Sequence, residues 1–335
     1  MKGNAIALDM GSVNTGIYQL GSGVVLFEPS VVAVENGEKR KVKAVGADAK
    51  KLIGKTSEST SVIFPVFEGE IEDEKNASVM IAKFLDKISA KTFFGRPGVL
   101  LSVPCGAENA SVKRYEKVLN NAGVYNIDYV ESPILTAIGL GVPISESNPC
   151  FIIDLGGGTT SIAAVSLDGV IAGVNVNMGG SNIDAMLIDY IDEYFNLRIG
   201  TLTAERIKIQ IGSLTENDRA RTIVSGRDLE SGAPRSVSIS SHDIIIPIKM
   251  FFDKILEITS MVMGKLPAEV SAEIRKEGVY FAGGTSKIAG LDEYFRDKMA
   301  IKANIGTEPE TATVTGGGIV TGDKELLRKL SLRKK

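Results

Sequence analysis

Two aspartates stand in the same local company. Asp9 lies in IALDMGSVNTGIY, residues 6–18, and Asp154 in FIIDLGGGTTSIAAV, residues 151–165. Each follows an apolar run and precedes a cluster of small polar residues and glycine, after which apolar residues resume. A turn of this kind leaves backbone N–H groups unshielded, and successive free amides form a nest that binds anions, phosphate above all. Glycine matters there because a Cβ would hold a phosphate away from the backbone. A carboxylate at the end of the preceding strand cannot bind phosphate, but it holds Mg2+, most simply through the metal's waters, and the metal bridges to phosphate oxygens. The 145-residue offset that carries Asp9 onto Asp154 also carries Gly11 onto Gly156, Thr15 onto Thr160 and Ile17 onto Ile162. One Asp-x-Gly says little. Two copies, each in a strand–turn–strand frame, point to two like-folded lobes that grip a nucleotide's phosphate chain from opposite sides of a cleft. The plain alternative is a pair of ordinary hairpins with polar turns.

Strands and helices must hold these turns, and the chain alternates them in the manner of α/β layers. AIAL and GIYQL read as strands around the first turn, and VVLFEPSVVAV continues in strand. ADAKKLIGK reads as a short helix and NASVMIAKFLDKIS as a longer one, by apolar spacing. GVLLSVP is a buried strand, ENASVKRYEKVLNNAG a helix closed by Gly123, NIDYVE a strand, and SPILTAIGLG a helix with Pro133 in its first turn. From Phe151 the strand–turn–strand pattern restarts. Helices follow at NIDAMLIDYIDEYF and TAERIKIQIGSL, polar strands around RTIVSGRDLESGAPRSVSIS, and a long helix over 243–264. GVYFAGGTSKIAGLDEYF reads as strand, glycine turn and helix. Its Gly283 and Gly284 would let a flat ring approach the backbone, as an adenine and ribose seat requires; alone, such a turn is also common without any ligand. The tail KELLRKLSLRKK is basic and amphipathic, a composition equally suited to solvent.

Composition excludes several classes. A chain of 335 residues exceeds what one core usually serves, so two or more domains are expected. A net charge of −3 argues against nucleic acid as a bulk partner. Cys105 and Cys150 form no CxxC, which leaves no disulfide framework or zinc site and fits a reducing cytoplasm. MKGNAIALDM meets its first acid too early for a signal peptide, and no apolar run approaches the roughly 20 residues that span a bilayer, so any membrane contact is expected to be peripheral. AKKLIGKT, residues 49–56, nearly matches a phosphate-binding Walker A loop, but Ala49 stands where the first glycine belongs and KKLI looks helical. His242 sits alone in a polar stretch and reads as a surface residue, which argues against His-based catalysis.

Two Asp-x-Gly hairpins and a late Gly-Gly turn before a helix resemble the actin superfamily, which includes the 70-kDa heat-shock chaperones and hexokinase-type sugar kinases. Within it the chain is similar to the bacterial MreB/Mbl cell-shape proteins over essentially its whole length. LFEPSVVAV, AVGADAKKLIGKT, VESPILTAIGLGVPI, IIDLGGGTTSIAAVSL, TAERIKIQIGSL and VSGRDLESGAPRSVSIS carry the likeness. The resemblance implies an α/β, actin-like fold: two duplicated ribonuclease H-like lobes, each with a smaller subdomain, and a nucleotide in the cleft. The implied subdomains are IA at 1–31, 73–142 and 318–335, IB at 32–72, IIA at 143–176 and 244–317, and IIB at 177–243.

The resemblance also implies ATP and Mg2+ as cofactors. It puts Asp9, Gly11, Ser12, Val13, Asn14 and Thr15 on the first phosphate loop, and Asp154, Gly156, Gly157, Gly158, Thr159 and Thr160 on the second, with Mg2+ near Asp9 and Asp154. Glu205 and Lys208 match positions that hold ribose and adenine; their spacing of three puts them on one helix face, where a surface salt bridge is the reading from the residues alone. Gly283, Gly284, Thr285 and Ser286 fall on the adenosine motif. Glu131 matches the residue that positions the attacking water, with Thr159 sharing that role; by itself Glu131 is a polar residue before a helix-starting proline.

The likeness has departures. The family reads E-E-P where this chain reads Glu131-Ser132-Pro133, NMGGSNID at 177–184 replaces a more acidic pattern, and Ser161 stands where an acid is common. They bear on hydrolysis rate, on subunit contacts and on placement within MreB proper or a divergent paralogue. Phe93 and Phe94, between Lys91 and Arg96, match a membrane-inserting loop, though a core-packed pair is the other reading. Each buried Phe is worth about 2 kcal/mol, so many loops on one filament are needed for firm binding to an anionic cytoplasmic leaflet. By resemblance the partners are further copies in filaments, the inner face of the cell membrane and cell-wall synthesis proteins. A non-polymerising sugar kinase would need a second pocket with an Asp base, for which no candidate stands out. A chaperone would need a peptide-binding domain after the ATPase, for which this sequence leaves too little room.

Overall fold

The computed structural model describes residues 5–37, 41–88, 97–144, 148–167 and 169–332. The first half carries β1 (Ile6–Met10), β2 (Asn14–Gln19), β3 (Gly23–Pro29), β4 (Val32–Glu35), β5 (Lys41–Val45), α1 (Ala47–Lys50), β6 (Thr60–Ile63), β7 (Val66–Phe67) and β8 (Glu70–Ile71). It continues with α2 (Glu74–Lys87), β9 (Val99–Val103), α3 (Asn109–Asn121), β10 (Ile127–Glu131) and α4 (Ser132–Gly139). The second half has β11 (Cys150–Leu155), β12 (Thr160–Ser166), β13 (Gly169–Val176), α5 (Gly180–Phe195), β14 (Leu197–Arg198), α6 (Thr201–Ile211), β15 (Arg221–Asp228) and β16 (Pro234–Ser240). Then come α7 (Ile245–Met263), α8 (Ala268–Glu277), β17 (Val279–Ala282), α9 (Leu291–Met299), β18 (Ala303–Ile305), α10 (Ala312–Gly322) and α11 (Lys324–Leu330).

The duplication expected from the offset is present in the sheets. One has the order β10-β9-β1-β2-β3 and the other β18-β17-β11-β12-β13. In each, an antiparallel three-stranded meander is extended by two parallel strands. Side chains alternate between faces along a strand. Ile6, Leu8 and Met10 of β1 therefore enter one core while Ala7 enters another; Phe151, Ile153 and Leu155 of β11 enter a third while Ile152 joins Ala7. The shared core is a seam between the lobes, built on α4 and α10. Every residue of β9 and β12 is buried, as expected of strands covered on both faces. Small sheets β5-β4-β6 and β14-β15-β16 project from the lobes.

Differences from the sequence expectation have local causes. VVLFEPSVVAV breaks after Pro29, because β4 leaves the sheet of β3 for another. The longer helix α2 starts two residues earlier than NASVM suggests, where the Asp73 side chain accepts from the Asn76 N–H at 3.0 Å. Gly283 is followed by a 3₁₀ turn, Gly284–Lys287, and α9 begins only at Leu291. The helix α10 was not expected at all: Gly316, Gly317 and Gly318 each cost about 1 kcal/mol against alanine in a helix. Packing overrides that cost. A Cβ on Gly316 would sit 2.7 Å from the Leu135 carbonyl carbon and 2.8 Å from the Gly139 nitrogen; one on Gly139 would sit 2.7 Å from the Ala312 carbonyl carbon and 2.8 Å from the Gly316 nitrogen. The two helices thus cross backbone to backbone through a reciprocal pair of glycines.

Candidate functional site

The two turns are built alike. In the first, the Gly11 N–H donates to the Asn14 carbonyl at 3.1 Å; in the second, the Gly156 N–H donates to the Thr159 carbonyl at 2.9 Å. Asp9 pairs across its hairpin with Gly16, and Asp154 with Ser161. The turns also meet each other. A Cβ on Gly157 would come within 2.5 Å of Val13 Cβ, and one on Gly158 within 2.7 Å of Ser12 Cβ. Any side chain at 157 or 158 would push the turns apart. Together they border a cleft of about 960 Å³.

Asp9 and Asp154 line it and are largely, though not fully, withdrawn from solvent. Burial pushes the Asp9 carboxyl up to about 7, the charge of Asp154 pushes the same way, and a hydrogen bond from Ser102 opposes both. Burial also raises Asp154, against hydrogen bonds from Thr313 and Thr136. Thr313 Oγ1 donates to Asp154 Oδ2 at 3.1 Å and Thr136 Oγ1 at 3.3 Å. These threonines come from α10 and α4, so the helix crossing fixes the carboxylate. Among the described residues no cluster of three or more His, Cys, Asp or Glu exists to cage a metal. The pair therefore suits a hard cation such as Mg2+ whose other ligands are water and phosphate.

The cleft walls join the lobes. At the β7–β8 tip, the Gly69 N–H donates to Ser12 Oγ at 2.8 Å, while Asn177 Nδ2 donates to Glu68 Oε2 at 3.0 Å. Glu68 holds a left-handed φ of 48°. The start of α5 is tied to the second turn, with Gly180 N–H to Gly156 O at 3.0 Å and Ser181 N–H to Gly157 O at 2.8 Å. Thr285 Oγ1 also donates to Gly156 O at 3.0 Å.

Glu205 and Lys208 share a face of α6 and line the cleft, but they do not pair with each other. Lys208 Nζ sits 2.8 Å from Asp184 Oδ1 and donates to Gly180 O at 2.8 Å. Glu205 Oε2 sits 2.7 Å from Lys50 Nζ, on the opposite lobe. Lys50 belongs to the Walker-like stretch, which is helix and turn and forms no phosphate cradle, yet supplies this cross-cleft contact.

Of the expected positions, Asp9, Gly11, Ser12, Val13 and Asn14 line the cleft, as do Asp154, Gly156, Gly157, Gly158 and Thr159, and Gly283, Gly284 and Thr285. Thr15, Thr160, Ser286 and Glu131 do not. Thr15 and Thr160 are fully buried, with hydroxyls bonded to Ser30 Oγ at 2.8 Å and Met178 O at 2.6 Å. Ser286 Oγ donates to Gly283 O at 2.7 Å. Glu131, expected to orient a water, accepts from the Gly106 N–H at 2.9 Å, and the next residue, Ser132, faces the cleft. Gly283 has φ 79°, and a Cβ there would meet the Leu155 backbone and come within 2.7 Å of Asp154 Oδ1, so strand contact already demands glycine. His242 is exposed, as expected. Phe93 and Phe94 lie outside the described residues. Thr136, Thr313, Glu68 and Lys50 were missed because each acts through a distant partner that sequence order does not announce.

The MreB/Mbl protein family matches residues 3–329. The cell shape-determining protein MreB of Escherichia coli (strain K12) is 34% identical over 323 residues, covering 95% of this chain and 93% of that protein. The crystal structure of MreB5 of Spiroplasma citri bound to AMPPNP superposes with a TM-score of 0.91 at 28% identity, covering 98% of each chain. The MamK double helical filament has a subunit of the same fold, with a TM-score of 0.80 at 18% identity, covering 96% of this chain and 99% of that one.

Proposed function

The chain belongs to the MreB/Mbl family and has the actin-like fold, and from that premise we propose that it is a bacterial actin. It binds ATP with Mg2+ in the cleft, hydrolyses it slowly, and assembles into filaments on the cytoplasmic face of the cell membrane that organise lateral cell-wall synthesis and set cell shape. The observation that carries this reading is the matched pair of glycine turns, each following a buried carboxylate, meeting across one cleft. Support comes from the relatives: proteins of this family are named cell shape-determining, and MreB5 of Spiroplasma citri is described bound to AMPPNP and to ADP.

In this reading the amides of Ser12–Asn14 and Gly157–Thr159 take the phosphates, the Gly11 and Gly156 amides close the turns, and Asp9 and Asp154 hold the metal through water. Bound Mg2+ would neutralise charge on the phosphate chain. Glu205 and Lys208 serve ribose and adenine, beside Gly283–Thr285. Thr15, Thr160 and Ser286 support the turns from behind. The four-subdomain division follows the two large sheets and the two small projecting ones, and α4 and α10 form the pivot between lobes. Among the described residues no helix is long and apolar enough to cross a membrane. Membrane contact is assigned to Phe93 and Phe94, displayed many times along a filament.

The Lys50–Glu205 pair bridges the cleft mouth and holds the two walls together over a bound nucleotide. Such a partly exposed pair is worth up to about 1 kcal/mol. Lys50→Ala is expected to speed nucleotide release by up to about fivefold, read as the off-rate of a fluorescent ATP analogue.

Sedimentation with electron microscopy, with and without ATP and anionic liposomes, tests the whole proposal. Lipid-bound filaments are expected with ATP, and loss of lipid binding in Phe93→Ala/Phe94→Ala. Soluble monomers under every condition would overturn it.

A further inference from the structure

We infer that residue 132 sets the rate of ATP turnover, and that the serine there limits the hydrolysis step in this chain. The inference rests on the nucleotide reading above. Hydrolysis forms a bond from a water oxygen to the γ-phosphorus while the bond from that phosphorus to the β–γ bridging oxygen breaks. The bridging oxygen leaves on ADP with the electron pair, and the water's proton passes to a nearby base. The water must be held in line, and a group able to accept its proton helps most.

The carboxylates that line the cleft are all committed elsewhere. Asp9 and Asp154 are the buried pair, fixed by Ser102, Thr136 and Thr313. Asp184 is paired with Lys208, Glu205 with Lys50, Glu310 with Lys287, and Glu68 accepts from Asn177. Each of those four lies against a partner that would have to be displaced.

Ser132 stands apart from them. It is the first residue of α4 and lines the cleft. Its carbonyl accepts from Thr136 Oγ1 at 2.8 Å, and that same threonine reaches Asp154. Ser132 is thus one helical turn, about 5.4 Å of rise, from the group that anchors the acid. On the neighbouring strand Ser102, the partner of Asp9, pairs with Val130, two residues before Ser132. Position 132 thus lies one helical turn from one anchor of the carboxylate pair and two residues from the strand partner of another, while the acid beside it, Glu131, is turned to Gly106. A serine hydroxyl can orient a water but cannot take its proton at neutral pH.

The test is phosphate release from ATP by the full chain and by Ser132→Glu and Ser132→Gln, with AMPPNP affinity measured in parallel. Ser132→Glu is expected to raise turnover at least ~10-fold while affinity stays within about threefold. The gain is expected to disappear in acid as the new carboxylate is protonated, a limb absent from the parent's pH profile. Ser132→Gln, which orients water without accepting a proton, is expected to give a smaller rise. Variants that bind AMPPNP but release phosphate at the parental rate would overturn the inference. So would a gain in Ser132→Gln equal to that in Ser132→Glu, with no acid limb. A parent chain that binds no AMPPNP would overturn the nucleotide reading itself, and the binding measurement tells the two failures apart.

Discussion

Asp9→Asn and Asp154→Asn will each weaken magnesium-dependent ATP binding by roughly 10- to 100-fold, the loss typical when a group that supports a metal through its outer shell is removed. Asp9→Asn will at the same time make the nucleotide-free protein more stable. The cause is the burial of two acids side by side: with no cation present, Asp9 gives up its proton only at about pH 7, against 3.8 for an ordinary aspartate. Between those values the folded chain holds a proton that the unfolded chain has lost, so folding stability falls as pH rises through the window. Asparagine carries no such proton and removes the slope. The melting-temperature advantage of Asp9→Asn, measured in EDTA, should therefore be small near pH 4, grow up to about pH 7 and then level off. By the same linkage, Mg2+ competes with that proton, and magnesium-dependent ATP affinity in the parent should rise with pH through about 7. An Asp9→Asn protein that binds Mg·ATP like the parent, or one that is less stable at pH 8 without nucleotide, would break the link between the buried pair and the metal.

Gly316→Val will lower the melting temperature by roughly 5 °C or more. The Cβ alone would stand 2.8 Å from the Gly139 nitrogen and 2.7 Å from the Leu135 carbonyl carbon, and valine adds two methyls. These neighbours are backbone atoms of a buried helix, so no rotamer change relieves the clash; α4 and α10 must separate. Overpacking a rigid core costs 1–3 kcal/mol or more, and in a protein of this size each kcal/mol lowers the melting temperature by about 2–4 °C. The same separation moves Thr136 and Thr313, which hold Asp154. Nucleotide affinity should fall along with stability, although residue 316 is not among those lining the cleft. Gly139→Val should act alike because the contact is reciprocal. Gly200→Ala is the control: an added Cβ there meets nothing within 4 Å and φ is −99°, so its cost should stay within about 1 kcal/mol.

The readable part of this protein was its repetition. The offset from Asp9 to Asp154 told of two like hairpins because a strand–turn–strand unit is local, and local chemistry survives in one dimension. The same limit explains what position in the chain does not state. Thr15 and Thr160 sit in the motif by position, but strand alternation turns them away from the cleft, and a motif does not state which face a residue takes. Glu131 and Ser132 differ in the same way: the β10–α4 junction turns one toward Gly106 and the other into the cavity. The helix α10 was hidden because its glycines read as a break, when they are what lets two backbones touch. Lys50 and Glu205 are 155 residues apart, and nothing in either segment announces the other.

Everything about the cleft depends on one triphosphate held between two like turns, with its metal beside two buried acids. A crystal structure of the full chain grown with AMPPNP and Mn2+, in which the metal is located by its anomalous signal, examines that arrangement without inference. The phosphates should lie between residues 11–14 and 156–159, with the manganese peak facing Asp9 and Asp154. Phosphates bound away from either turn, or a manganese peak remote from both aspartates, would contradict it.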